Sequence, residues 1–281
     1  MGPYAVRAAG LAERLRTLGH TVEDAGNLHV PDRGMFPADS HGLDFLPAIT
    51  DVCRALADET ATAADAGKIP LVLGGDHSLA AGSVAGVARA KRAKGERIGL
   101  LWIDAHADLN TPSSSLSGNV HGMPVAHLLG HGDPSLAGLA GKEPAVLGRH
   151  VALVGIRDLD LAERAHLRAW GVQLFSMRDI DQRGLGACIA EAIAHISDGT
   201  DAFYVSFDAD AVDPAAAPGV GTPVRGGLTF REAHLALEMV ADTGRLVGLD
   251  IVEVNPILDV TNQTAELAVG LAASALGQRI L

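Results

Sequence analysis

The stretch IGLLWIDAHAD, residues 98–108, decides how this chain folds. Its opening, IGLLWI, is an unbroken apolar run of the kind that fills a strand buried on both faces. Directly behind it stand Asp104, His106 and Asp108, metal-capable side chains at every second position. In extended backbone, alternate side chains point to the same face, so all three can converge on one point just past the strand. A buried carboxylate without a cation is strongly unfavourable. A polar strand end running into a solvated turn accounts for any one of these residues more readily than for the set.

The same syntax recurs on either side. Apolar runs at 69–73, 151–155, 203–207 and 246–251 read as strands, with further short strands at 20–24 and 172–175. Helical periodicity marks 5–18, 44–67, 78–93, 160–170, 183–197, 229–241 and 262–277, and a short helix starts near 124. Residues 25–43, 110–122 and 130–148 read as loops rich in Gly, Pro, Ser or Asn. Strands alternating with helices predict an α/β fold: three α/β/α layers around a mainly parallel central sheet. With no linker, repeat or low-complexity tract, residues 1–281 read as one domain. Polar clusters at 76–77, 104–108, 157–160, 208–210 and 253 each follow an apolar strand. In such sheets the carboxyl edge is where ligands bind.

Composition narrows the partners. The formal net charge of −12 argues against nucleic acid and against anionic membrane surfaces. Cys53 and Cys188, the two cysteines, lie in helix-like segments and read as small buried apolar residues in a reducing compartment. No signal peptide and no apolar run of membrane-spanning length is present, so the expected location is the cytoplasm.

Asp208 and Asp210 repeat the alternate spacing of the first cluster. With His77 they complete a candidate ligand set of His77, Asp104, His106, Asp108, Asp208 and Asp210. Four carboxylates and two imidazoles exceed what one catalytic zinc takes, and suit two divalent ions with some carboxylates bridging. Oxygen-dominated ligation with some nitrogen favours Mn²⁺ over Zn²⁺ or Cu²⁺ and leaves Fe, Co and Ni open. Two such ions acidify a water for attack on an electrophilic carbon or phosphorus. A phosphoryl target calls for basic side chains, and near these strand ends only Arg157 stands. Glu253, an anion at the edge of the site, asks instead for a cationic group such as a guanidinium or amidine. His127, His131, His150 and His195 read as structural or surface residues.

These residues carry a resemblance. GGDHS at 74–78, DAHAD at 104–108, SFDADAVDP at 206–214 and GLDIVEVNP at 248–256 resemble the signature segments of the ureohydrolase (arginase/agmatinase) superfamily, from about Gly2 to the C-terminal helix. The loop NTPSSSLSGNVHGMP at 110–124 is similar to that of the arginase branch, which keeps S-G-N-x-H-G there. The resemblance implies a binuclear manganese centre held by the six residues above, with Asp104 and Asp208 bridging. It implies that Glu253 orients the guanidinium and that His121 shuttles a proton. Asn110, Ser117 and Asn119 match positions that hold the substrate α-carboxylate. Asp160, with Asp158 beside it, matches the contact to the α-amino group, and Thr222 a loop position near the metals. Arg231 and Glu232 match a pair used at subunit contacts, implying a homo-oligomer, trimer or hexamer.

The activity so implied is hydrolysis of L-arginine to L-ornithine and urea by a hydroxide held between two manganese ions. The alternatives are agmatinase or another guanidino-compound hydrolase, a two-metal phosphoesterase, and a non-catalytic relative. Relatives carry an apolar strand and a glycine-rich loop ahead of the segment matching Gly2-Pro3. The expected sheet lacks that first strand, through a start read at an internal methionine or through real shortening.

Overall fold

Six parallel strands in the order β1-β6-β5-β2-β3-β4 form the sheet of the computed structural model, which describes residues 1–279. They are β1 (Leu71–Leu73), β2 (Ile98–Ile103), β3 (Val151–Ile156), β4 (Gln173–Ser176), β5 (Ala202–Asp208) and β6 (Leu246–Val252). Strands β2, β3 and β5 are buried along their whole length, as parallel strands covered on both faces must be. No strand precedes β1 among the described residues, and β1 pairs with β6 alone.

The helices are α1 (Gly2–Ala8), α2 (Leu11–Thr17), α3 (Leu46–Asp65), α4 (Ala80–Ala93), α5 (Pro124–Leu128), α6 (Pro134–Ala137), α7 (Leu161–Trp170), α8 (Met177–Arg183), α9 (Leu185–Ser197), α10 (Phe230–Asp242) and α11 (Gln263–Ala275). Leu101, Ile103, Val154 and Val205 face a core shared with α1, α2, α9, α10 and α11. Leu100, Trp102, Leu153 and Tyr204 face the opposite core, shared with α3, α4, α5 and α7. Strand alternation thus sorts the residues of one strand into two cores, giving the three layers expected. No helix among the described residues is long and apolar enough to cross a membrane. Both cysteines are free and buried.

Four local expectations are corrected. The helix expected over 5–18 is broken at Gly10, whose left-handed φ of 89° separates α1 from α2. Residues 20–24 form no strand, having no neighbouring strand to pair with; Asp24 instead accepts from the Arg7 guanidinium at 2.8 Å. The segment 130–148 contains α6, capped by Asp133 through the backbone N–H of Ser135. The helix expected over 183–197 is preceded by α8, which Ser176 and Asp179 start as a reciprocal capping box.

Helices α3 and α4 approach closely because α4 presents Gly82 and Gly86, one turn apart. A Cβ at Gly86 would land on the Ala57 carbonyl and the Thr60 hydroxyl, and one at Gly82 on the Cys53 carbonyl. Alanine gains about 0.5–1 kcal/mol over glycine in an open helix. Overpacking typically costs about 1–3 kcal/mol. We therefore expect Gly86→Ala to lower the urea midpoint by a net destabilisation of about 1–2 kcal/mol. An unchanged or raised midpoint would show that the two helices slide apart freely.

Candidate metal centre

The site lies at the carboxyl ends of β1, β2, β5 and β6. After β1, Gly74 and Gly75 turn the chain. Asp76 caps the next turn by accepting from Ser78 N at 3.0 Å, which drops His77 into the interior at 2 % exposure. His77 stacks on Trp102, ring centroids 4.1 Å apart and planes 6° from parallel. Its Nδ1 lies 3.1 Å from Asp104, 3.0 Å from Asp208 and 3.4 Å from Asp108. His106 Nδ1 lies 3.4 Å from Asp104 and 3.2 Å from Asp210. His77, Asp104 and Asp208 bring one donor atom each within 4.8 Å of one another, and so do Asp104, His106 and Asp210. Asp104 belongs to both groups, and Asp108 faces the His77 group.

The donors suit two divalent cations. His77 Nδ1 is buried and has no hydrogen-bond partner of acceptable geometry, although three carboxylates face it. Once deprotonated, that nitrogen aims a lone pair at the centre of the cluster, as a ligand nitrogen requires. Its tautomer is fixed from behind. His77 Nε2 lies 2.8 Å from Ser206 Oγ, which donates at 2.5 Å to the fully buried Asp250, which also accepts from Ser83 at 2.9 Å. Trp102 Nε1 donates to Asp104 at 2.9 Å, and Thr222 Oγ1 to Asp210 at 2.9 Å.

The charges are otherwise unbalanced. Burial, and then the charges of Asp104 on Asp108 and of Asp210 and Asp104 on Asp208, push both carboxyls well above the usual range. Burial opposes protonation of His77 and His106, but the neighbouring aspartates overcome it and raise both imidazoles, His106 to about 12. Burial would also raise Asp104, yet the two histidines hold it low. Burial and the Asp76 charge raise Glu253 to about 7. A cation brought into the cluster would relieve the same repulsion.

A cavity of about 270 Å³ opens above the cluster. Its wall includes His77, His106, Asp108, Asn110, His121, Asp158, Asp160, Asp208, Thr222 and Glu253 from the sequence-derived set. Asp104 and Asp210 lie beneath it, at 0 and 1 % exposure. Ser117 and Asn119 do not line it. They sit exposed in the loop whose two ends meet at the wall, where Asn110 N donates to Gly122 O at 3.1 Å. Asn110 Nδ2 donates to Asp160 at 2.9 Å. Glu253 accepts from His77 N at 2.8 Å. Both Asp108 and Glu253 are left-handed, with φ of 52° and 60°, a conformation that costs a non-glycine residue about 1–3 kcal/mol and persists only where neighbours impose it.

Sequence reasoning missed Glu163, which also lines the cavity, and the supporting Trp102, Ser206 and Asp250. The signals were present. Glu163 stands three residues after Asp160 in a capping box. Trp102 and Ser206 lie two residues before Asp104 and Asp208, on the same strand face. Asp76 was passed over as well; its carboxylate comes within 4.0 Å of His121 Nδ1. Arg157 does not serve a ligand: its guanidinium donates to the carbonyls of Asp210, Ala211 and Val224 and pins the loop after β5.

A profile of the arginase family matches residues 1–277. The chain is 44 % identical over 283 aligned positions to an arginase of Bacillus caldovelox, covering 100 % of this chain and 93 % of that protein. It is 43 % identical over 281 positions to an arginase of Brevibacillus brevis, with the same coverage. The crystal structure of arginase from Bacillus cereus superposes with a TM-score of 0.92 at 43 % identity, over 100 % of this chain and 93 % of that one.

The protonation pattern has a measurable consequence. Metal ligands must give up protons, and His77, His106, Asp108 and Asp208 are all raised. Loading metal-free protein with Mn²⁺ at pH 7 should release more than about one proton per chain, with affinity falling as pH drops. Calorimetry in two buffers of different ionisation enthalpy measures it, and metal uptake without proton release would remove these side chains from the ligand set.

Proposed function

The chain belongs to the arginase family, and from that premise we propose that it hydrolyses L-arginine to L-ornithine and urea at this centre. The observation that carries the reading is the pair of donor groups sharing Asp104 on the floor of a cavity walled by Glu253, His121, Asp160 and Asn110. We assign His77, Asp104, His106, Asp108, Asp208 and Asp210 as ligands of two manganese ions; the oxygen-rich set with two imidazoles supports that metal. Such ions lower the pKa of water into the neutral range and so supply the nucleophile.

The chain's own groups do the rest. Glu253 has one oxygen engaged by His77 N and offers the other to the substrate guanidinium. Held there, the guanidinium presents its carbon to water, and Asp108 accepts a hydrogen bond from that water and aims it. Its oxygen adds to give a tetrahedral adduct; as the C=O bond of urea then forms, the C–N bond to the side-chain nitrogen breaks and Asp108 passes the oxygen's proton to that nitrogen. His121, with Asp76 beside it, hands a proton to the departing amine. Asp160, braced by Asn110, receives the α-amino group, with Asp158 beside it. Ser117 and Asn119, on the loop anchored at Asn110 and Gly122, take the α-carboxylate directly or through water. Thr222 keeps Asp210 oriented.

We further infer assembly into a trimer or hexamer. Arg231 at the start of α10 is exposed, paired with Glu238 at 2.7 and 2.6 Å, and Glu232 completes the helix cap with Thr229. Both therefore present fixed polar groups at one helix end. The two free, buried cysteines fit a reducing compartment, the cytoplasm.

Urea release is the deciding assay. We expect Mn²⁺-dependent urea from L-arginine, abolished by chelation, with agmatine a much poorer substrate; urea from agmatine alone would overturn the assignment of the 110–122 loop. Asp108→Asn should lower kcat by about a hundredfold or more at unchanged far-UV circular dichroism. Asn119→Ala should raise KM for arginine about tenfold and leave kcat within about twofold. A normal rate in the first variant, or a normal KM in the second, would remove the corresponding role.

A further inference from the structure

Asp108 is the ligand whose backbone is held least comfortably, and the segment after it is gripped from two sides. Its own carbonyl accepts from Val125 N at 3.1 Å, at the start of α5. The other end of that peptide unit, Leu109 N, donates to Glu163 Oε1 at 3.1 Å. Those contacts fix the unit between Asp108 and Leu109. The next unit is fixed by a different residue: the imidazole of His166 donates from Nδ1 to Leu109 O at 2.8 Å. The far end of that unit, Asn110 N, donates to Gly122 O at 3.1 Å, so His166 is the side-chain contact that holds its carbonyl end, next to the left-handed turn and to the fully buried Leu109.

His166 is itself aimed. Its ring stacks on Trp170, one turn later on α7, with centroids 4.2 Å apart and planes 10° from parallel. His131 covers the other face of that indole at 4.3 Å and 13°. The His131–Trp170–His166 sandwich therefore ties the surface loop after α5 to the carbonyl that follows a metal ligand. Nδ1–H donates in the neutral tautomer that carries it and in the imidazolium alike, so the contact needs no change of charge.

We propose that His166 is a positioning residue for the metal centre, acting through the Leu109 carbonyl to hold Asp108 in its left-handed conformation, with Trp170 as the platform that orients its ring. This rests on the reading of Asp108 as a ligand. It assigns to α7 a task apart from the substrate contact of Asp160: keeping one carboxylate in register with His77.

Three variants separate the hydrogen bond from the packing. His166→Phe keeps a ring on Trp170 and removes the donor. His166→Asn keeps a donor near the Nδ1 position and removes the stack. His166→Ala removes both, so a folding failure of the phenylalanine variant leaves the alanine variant to decide. Mn²⁺ binding to metal-free protein is measured by calorimetry, alongside metal-free melting temperature and the kcat and KM for urea release.

Parent protein binding two equivalents establishes the centre first; failure at that step overturns the reading of the site, not the role of His166. Given that, we expect His166→Phe and His166→Ala to weaken one equivalent about tenfold, to lose kcat at limiting Mn²⁺ with KM unchanged, and to regain it at excess Mn²⁺. His166→Asn should stay within about threefold of the parent. Metal affinity within twofold of the parent in His166→Phe or His166→Ala, or a loss in His166→Asn as large as in His166→Phe, would overturn the proposal. So would a fall in melting temperature without any change in metal affinity, since that is what a merely structural contact gives.

Discussion

Four carboxylates at the ends of two parallel strands, with two imidazoles among them, are the constraint around which the rest of the structure is arranged. Asp104, Asp108, Asp208 and Asp210 are all buried, and like charges packed so closely in a medium of low polarisability repel strongly. The arrangement makes physical sense as a cation cage. Three of the carboxylates are steadied from behind: Asp104 by the Trp102 indole, Asp210 by Thr222, and Asp208 by the backbone N–H of Asp210 at 2.7 Å. A fifth, deeper carboxylate, Asp250, accepts from Ser206 and Ser83 rather than facing the centre. Partners of this kind orient ligands and fix imidazole tautomers.

The sheet supplies what such a cage needs. Trp102, Ser206 and Asp250 are register partners across β2, β5 and β6, so one row of the sheet forms the layer beneath the ligands. Helices on both faces keep water from that layer, and the strand ends open into the cavity. At the site the strain sits on the rim, where Asp108 and Glu253 take left-handed backbone; Thr261 and Asn262, ahead of α11, take it too. Regular structure elsewhere carries the stability that tolerates it.

Most of the architecture was legible because buried parallel strands and amphipathic helices write their periods plainly. All six strands and the helices α3, α4, α7, α9, α10 and α11 lie where alternation and helical spacing place them. The six candidate ligands converge as the alternate spacing in DAHAD and FDAD requires. Local rules failed where tertiary partners decide. Residues 20–24 have strand-like composition but no strand beside them, and α6 depends on a single Asp133 cap in a loop-like run. The positions of Ser117 and Asn119 outside the cavity wall were not readable either, since a polar loop has no period to set its direction. The grip of Glu163 and His166 on Leu109 joins residues more than fifty apart, and no local pattern reports it.

The dispersion of the site along the chain bears on how the protein reaches its native state. His77 follows β1, Asp104 follows β2 and Asp208 ends β5, and crossover segments separate all three. Parallel pairings of this kind close long loops and form slowly. A partly assembled sheet holding β2 beside β5 but not yet β1 would present the aspartates without His77, an incomplete set of donors. Divalent cations held by the complete set would therefore stabilise, by mass action, the topology in which β1 is docked. Binding of that kind would latch the finished topology.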